Sequence, residues 1–321
     1  MRIAVAQVGG IQLSETRRAV VGRLANLLEQ AADQRADLVV FPELTLTTFF
    51  PRYWYDDAAE ADRFFERSMP GDDVAPLFEL AADRGVAFYL GYAEIDPRGR
   101  RFNTSILVDR SGRIVGKYRK IHLPGHAERL DDVPAQHAEK RYFEVGDLGF
   151  GVFDVDGVKV GMCLCNDRRW PEVYRCLSLQ GAEVVVLGYN TPVFVPGWQE
   201  EPHAKMFTHL LSLQAGAYQN SVWVAAAAKC GYEDGHHMIG GSAIVAPSGE
   251  IVAKARSEGE ELIVADVDLG LSEIYRTSVF NFAAHRRPEH YRLIVDRVGR
   301  GEPVPVSFDQ PPVTTAARRD A

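Results

Sequence analysis

Two runs near the middle of the chain, EVVVL at 183–187 and VWVAAAA at 222–228, place apolar side chains at consecutive positions. Neighbouring side chains on a strand point to opposite faces, so such a run is stable only where both faces are covered. The chain therefore needs a sheet with a further layer on each side. Around these runs, strand-like segments alternate with amphipathic ones. RIAVAQV (2–8) leads to a helix from about Ser14 in which Val20, Leu24, Leu27, Leu28 and Ala31 form one apolar stripe, and then to DLVVF (37–41). A helix is expected near 73–84, followed by strands VAFYLGYAEI and FNTSILVD and a shorter strand ending in VGKYRK.

The segment YFEVGDLGFGVFDVDGVKVGMCLC reads as two strands joined at Asp156-Gly157. A helix follows with Pro171 in its first turn and Gly181 just past its end. Strand AEVVVLGY, a helix through about 204–218, and strands VWVAAAAK, GGSAIVAP, IVAKAR and ELIVADVD complete the body. Hairpins thus interrupt a parallel pattern, which predicts a layered α/β sandwich rather than a simple doubly wound sheet. After residue 297 the composition turns to GRGEPVPVSFDQPPVTTAARRDA, expected as a mobile tail or an arm lying on a neighbour.

A net charge of -8 and a pI near 5.6 argue against a nucleic-acid partner, which calls for a basic face. The apolar run at the N-terminus is too short for a signal sequence, and no stretch approaches the ~18 apolar residues of a membrane span. A cytoplasmic enzyme with a small-molecule substrate is the expectation. Cys163, Cys165, Cys176 and Cys230 are too few in 321 residues for a disulfide framework and read as free thiols. Cys163 and Cys165 with His236 and His237 match no usual zinc spacing, so no metal and no cofactor are expected. Asn103-Thr104-Ser105 fits a glycosylation sequon, which carries no weight without secretion.

Three segments carry chemistry: FPELTLTTFFP around Glu43, YRKIHLPGH around Lys120 and GMCLCNDRRWPE around Cys165. Each alone has a plain structural reading. A Glu after Pro is commonly a solvated loop carboxylate, Lys120 with Lys117 and Arg119 a solvated face, and Cys163 and Cys165 small core residues. Together they supply a base, a cation and a nucleophile. An ordinary thiol of pKa ~8.5 is only a few per cent ionised at neutral pH, so a base such as Glu43 would activate it. Both Glu43 and Cys165 follow strand-like runs, where open α/β sheets gather ligand groups, and a strand-to-helix turn at Cys165 would expose its sulfur. Lys120 and the N–H of Asn166 could stabilise an oxyanion, where losing one donor costs about 2.7–4 kcal/mol. Arg168 and Arg169 could hold a carboxylate through a two-pronged fork.

The order and spacing of these segments resemble the Glu-Lys-Cys triad of the nitrilase superfamily, and RRFNTSILVD, GKYRKIHLPGH, CNDRRWPE and GYNTP are most similar to N-carbamoyl-D-amino-acid hydrolases. The resemblance covers roughly residues 1–297. It implies a four-layer α-β-β-α sandwich, with a catalytic domain over 1–280 and an extension over 281–321 that packs across a subunit interface in a homo-oligomer, a dimer or a tetramer. It assigns catalysis to Glu43, Lys120 and Cys165, with Glu139 orienting the lysine or the hydrolytic water. It makes Arg169 the carboxylate clamp and Arg168 structural, and adds Asn166, Asn190, Thr191, His122 and His137 as substrate contacts. One departure stands out: related enzymes carry two histidines before LLS, whereas this chain has Thr208-His209. The reaction implied is hydrolysis of an N-carbamoyl-D-amino acid to amino acid, ammonia and carbon dioxide. An N-carbamoyl-β-amino acid, N-carbamoylputrescine, and a non-catalytic binding protein are the alternatives.

Overall fold

A computed structural model describes residues 1–304 except 196, 197 and 199. The proposed tail therefore lies largely outside the described residues. The chain opens with β1 (Arg2–Gly9), α1 (Arg17–Asp33), β2 (Leu38–Val40), β3 (Phe65–Glu66), α2 (Ala75–Arg84), β4 (Ala87–Ile95), β5 (Arg101–Val108) and β6 (Ile114–Arg119). It continues through α3 (Glu139–Tyr142), β7 (Val152–Val155), β8 (Val158–Leu164), α4 (Pro171–Leu179), β9 (Val184–Tyr189), α5 (Pro202–Asn220), β10 (Trp223–Glu233) and β11 (His236–Ile239). Last come β12 (Ala243–Val245), β13 (Ile251–Lys254), β14 (Glu261–Asp266) and three short helices, α6 (Gly270–Arg276), α7 (Phe282–His285) and α8 (Arg292–Asp296).

The strands run β6-β5-β4-β2-β1-β10-β9-β8-β7. At its middle the path is pinched, because β1 and β10 pair only at their ends, Val8 with Lys229 and Gly9 with Cys230. Two sheets result. One holds β1, β2 and β4 in parallel, with β5, β6 and β14 antiparallel at its flanks. The other holds β8, β9 and β10 in parallel, with β7 and β12 antiparallel.

Side-chain alternation shows how these sheets stack. Ile3, Val5, Leu38, Val40, Ala87 and Tyr89 point into one core with Val160, Met162, Val184 and Val186 of the second sheet. Their neighbours Ala4, Ala6, Val39, Phe88 and Leu90 point the other way, onto Leu24 and Leu28 of α1 and Leu77 and Ala81 of α2. Val173 and Leu177 of α4 and Leu213 and Ala217 of α5 cover the second sheet's outer face. The order is helix, sheet, sheet, helix, the four-layer sandwich expected, and it explains why VVVL at 184–187 and VWVAAAA are apolar throughout.

Helix α1 starts three residues after Ser14, because the Thr16 hydroxyl caps the N–H of Ala19 at 3.2 Å. Asp156 and Gly157, at φ 52° and 86°, make the two-residue turn between β7 and β8. A second turn of this kind, Asp234-Gly235, joins β10 to β11 and carries the partly exposed His236 and His237, whereas Cys163 is buried in β8. Among the described residues no helix is long and apolar enough to cross a membrane, and no group of three or more His, Cys, Asp or Glu could hold a metal.

Candidate active site

The strand ends β2, β6 and β8 deliver three side chains to one buried place. Past β2 the backbone stays tied to β4: Phe41 N–H donates to Tyr89 O at 3.0 Å and Thr45 N–H to Gly91 O at 2.8 Å. Glu43 sits in this tight crossing. A Cβ on Gly91 would stand 2.8 Å from Glu43 Cα, and one on Gly188, at the end of β9, 2.4 Å from Glu43 N. Glycine is required at both because two strand ends close on the backbone that carries the carboxylate.

Lys120 lies one residue past β6, and strand parity explains its position. Tyr118 and Lys120 face the inter-sheet core, while Lys117 and Arg119 face outward and both pair with Glu94. The backbone N–H of Lys120 donates to Asn103 O at 2.8 Å. Its ammonium, fully buried, donates to Glu43 Oε1 at 2.7 Å and to Glu139 Oε2 and Oε1 at 2.7 and 3.0 Å. Burial works against this charge, but the Cys165 sulfur, Glu139 and Glu43 outweigh it and hold the ammonium well above its ordinary range. Glu139 opens α3, a helix fastened to the loop after Glu43 by Gln136 N–H to Arg52 O and Ala138 N–H to Pro51 O, both 2.9 Å. Burial, aided by the Glu43 charge, raises its carboxyl to about 7 against the pull of Lys120.

Asn103 completes the cluster. Its Nδ2 donates to Glu43 Oε1 at 2.8 Å and approaches Glu139 Oε2 at 3.4 Å, so the apparent sequon is a buried site residue. A polar residue on the inward side of β5, in step with Leu107, is the signal that would have revealed it. With Oε1 held by Lys120 and Asn103, Glu43 Oε2 is buried without a hydrogen-bond partner among the described residues.

Cys165 follows β8 in a left-handed conformation, φ 43°, at the start of a single tight turn leading to α4. Asp167 holds that turn. Its Oδ2 accepts from Leu164 N–H at 3.0 Å and the Tyr118 hydroxyl at 2.8 Å, and its Oδ1 accepts from His122 N–H at 3.0 Å. Burial and the Glu43 charge raise the thiol to about 11, against Lys120 and Arg168, so the resting sulfur keeps its proton.

The pocket beside the thiol has room for about one water, ≈ 10 Å³. His137, Asn166, Arg168, Arg169, Asn190, Thr191 and Trp198 are among the residues that line it. Both side-chain polar atoms of Asn190 are buried and unpartnered. His137, pushed down to about 3 by burial and the nearby Lys120 charge, is a neutral imidazole with Nε2 unpartnered. Arg168 donates to Cys165 O at 2.7 Å, Thr191 Oγ1 at 3.1 Å and His209 Nδ1 at 3.1 Å, which commits its guanidinium to bracing the turn. Arg169 is less engaged, 3.9 Å from Glu200.

His122 belongs elsewhere. Its Nδ1 meets Asp167 Oδ1 at 2.8 Å and its ring stacks on Trp170 at 4.7 Å, so it lines a neighbouring hollow with Ile121, Phe143 and Trp170 instead of the pocket at Cys165. Asp167 draws it there, and Asn166 Nδ2, donating to His122 O at 3.0 Å, borders both spaces. Thr208 donates to Glu200 Oε1 at 2.6 Å, while His209, buried and neutral, meets the Tyr189 hydroxyl at 2.9 Å.

Residues 2–277 match the model of the carbon-nitrogen hydrolase family. The chain is 34% identical to a nitrilase of Pyrococcus abyssi, over 83% of this chain and 90% of that protein. It is 31% identical to the N-carbamoylputrescine amidase of Arabidopsis thaliana, over 87% and 91%. A carbon-nitrogen hydrolase from Helicobacter pylori superposes with a TM-score of 0.78 at 28% identity, covering 92% of this chain and 99% of that one.

Proposed function

Because this chain belongs to the carbon-nitrogen hydrolase family, we propose that it hydrolyses the ureido group of N-carbamoyl amino acids through a thioester on Cys165. The observation that carries this reading is the chemistry of the pocket's lining, since the space itself, about one water in volume, must widen to admit a substrate. An unpartnered Asn190 amide, suited to a ureido group, shares that lining with Arg169, suited to a carboxylate, directly beside the thiol.

Glu43 Oε2 takes the thiol proton as the sulfur attacks the ureido carbonyl. Lys120 and the N–H of Asn166 stabilise the oxyanion. The C–N bond to the terminal nitrogen breaks, and Glu43 returns the proton as ammonia leaves. Glu43 then removes a proton from water, which attacks the thioester and restores the thiol. The released N-carboxy amino acid loses carbon dioxide, leaving the amino acid. Glu139 fixes Lys120 through two hydrogen bonds and shares the buried charge.

Preference for the D series rests on the resemblance of CNDRRWPE and GYNTP to N-carbamoyl-D-amino-acid hydrolases. A homo-oligomer belongs to the same reading, supported by the exposed Leu293, Ile294 and Val295 on the extension after residue 280. The likeness to N-carbamoylputrescine amidases favours a second reading, in which an amine end replaces the carboxylate; Arg169 opposes it. Ammonia release from matched N-carbamoyl-D- and N-carbamoyl-L-alanine and from N-carbamoylputrescine separates the two. Turnover of the D-alanine derivative, abolished in Cys165→Ala, is expected. Turnover of the putrescine derivative alone would replace the first reading by the second.

A further inference from the structure

Trp198, in the pocket wall, has two cations against its ring. The Arg169 guanidinium carbon is 5.6 Å from the ring centroid and the Lys205 ammonium 5.9 Å. Lys205 stands in the first turn of α5 and is 1% exposed. Among the described residues its ammonium finds one hydrogen bond, a long one of 3.4 Å to Pro192 O, and no carboxylate; Pro192 also lines the pocket. Glu200 is divided, with one oxygen accepting from Thr208 and the other 3.9 Å from Arg169. Arg168 spends its donors on uncharged groups. Among the described residues, two cations, the buried Lys205 and the partly exposed Arg169, thus share one carboxylate, Glu200, and neither makes a close ion pair with it. A buried ammonium with a single weak partner is costly unless something completes its shell.

We propose that Lys205 and Arg169 form a two-cation site for the carboxylate of the substrate, and that Glu200 is the internal counter-ion which that carboxylate displaces. The inference rests on the ureido-acid reading above and adds a specificity residue to it. Lys205 recognises the anionic end rather than the carbamoyl end, so neutral amides of similar size forgo the contact.

The test measures binding of N-carbamoyl-D- and N-carbamoyl-L-alanine by calorimetry to the inert Cys165→Ala protein, alone and combined with Lys205→Met, Arg169→Met or Glu200→Gln. Lys205→Met is expected to raise Kd about tenfold or more, as loss of a charged hydrogen bond does, and Glu200→Gln to lower it severalfold. In the active enzyme Lys205→Met should raise KM with kcat within about threefold, and cut the ratio of kcat/KM for the carbamoyl amino acid over propionamide about tenfold. A purely structural lysine would lower kcat for both substrates and leave that ratio alone. Lys205→Gln, which keeps length and polarity, should lose the same discrimination and serves if the Met variant does not fold. Weakened binding in Arg169→Met with none in either Lys205 variant would overturn the two-cation site while leaving the ureido-acid reading intact. Failure of the parent Cys165→Ala protein to bind either compound would overturn both.

Discussion

Two buried carboxylates, each paired with a lysine, behave differently in this molecule. Glu233, near the end of β10, has both oxygens occupied. Oε1 accepts from Phe49 N–H at 2.8 Å and Arg52 at 2.6 Å, and Oε2 accepts from Ile11 N–H at 3.0 Å and Lys229 at 2.8 Å. Glu43 has Oε1 occupied by Lys120 and Asn103 and Oε2 without a hydrogen-bond partner among the described residues, and its charge opposes ionisation of the Cys165 thiol. Both carboxylate-lysine pairs are fully buried. A network closed on all sides fixes a loop; one left open at a single atom keeps a place for a proton. The first supports the second, because Glu233 holds Phe49 and Arg52, and the carbonyls of Pro51 and Arg52 in turn hold the segment that carries His137 and Glu139.

The sharpest way to break this contrast is Lys120→Met. On the proposed mechanism it removes the cation at the oxyanion and leaves two carboxylates facing each other, so kcat should fall at least about a hundredfold to a thousandfold, with a stability loss of about 3–5 kcal/mol by denaturant unfolding. Retained turnover would mean that Lys120 only neutralises charge. Asn103→Ala frees Glu43 Oε1 on one side and should cost about tenfold in kcat, the equivalent of one hydrogen bond to a charged group of about 1.5 kcal/mol. No change would place Asn103 outside the proton path.

A smaller effect concerns pH. Glu139 binds its proton more tightly in the folded chain, its carboxyl rising from 4.5 to about 7, so its contribution to stability is present below that window and lost as pH climbs through it. Glu139→Gln should flatten the decline in unfolding free energy between pH 4.5 and about 7. An unchanged slope would show that other groups set it.

Legibility in the sequence followed locality. The strands that carry Glu43 and Cys165 are short contiguous runs, and the apolar segments at 183–187 and 222–228 announced a sheet covered on both faces. The inward face of Lys120 could be read from parity with Tyr118, although its charged neighbours make the same string look solvated. Asn103 was masked by a sequon pattern that says nothing of which side of a strand it faces. The position of His122 is set by a carboxylate, Asp167, 45 residues away in the chain, which no local pattern encodes. Arg52 and Glu233, 181 residues apart, meet only when β10 comes beside β1, a juxtaposition no local pattern encodes. The Asp234-Gly235 turn, by contrast, is a hairpin signal that the sequence itself carries.

The most direct test of the contrast is to make Glu43→Gln and Glu233→Gln in parallel and measure kcat and unfolding free energy for both. The open carboxylate predicts a crossed result: Glu43→Gln loses about a thousandfold or more in kcat with stability nearly kept, and Glu233→Gln loses about 3–5 kcal/mol of stability with kcat within about tenfold. Equal losses of activity in the two, or full activity in Glu43→Gln, would contradict the assignment of Glu43 as the base.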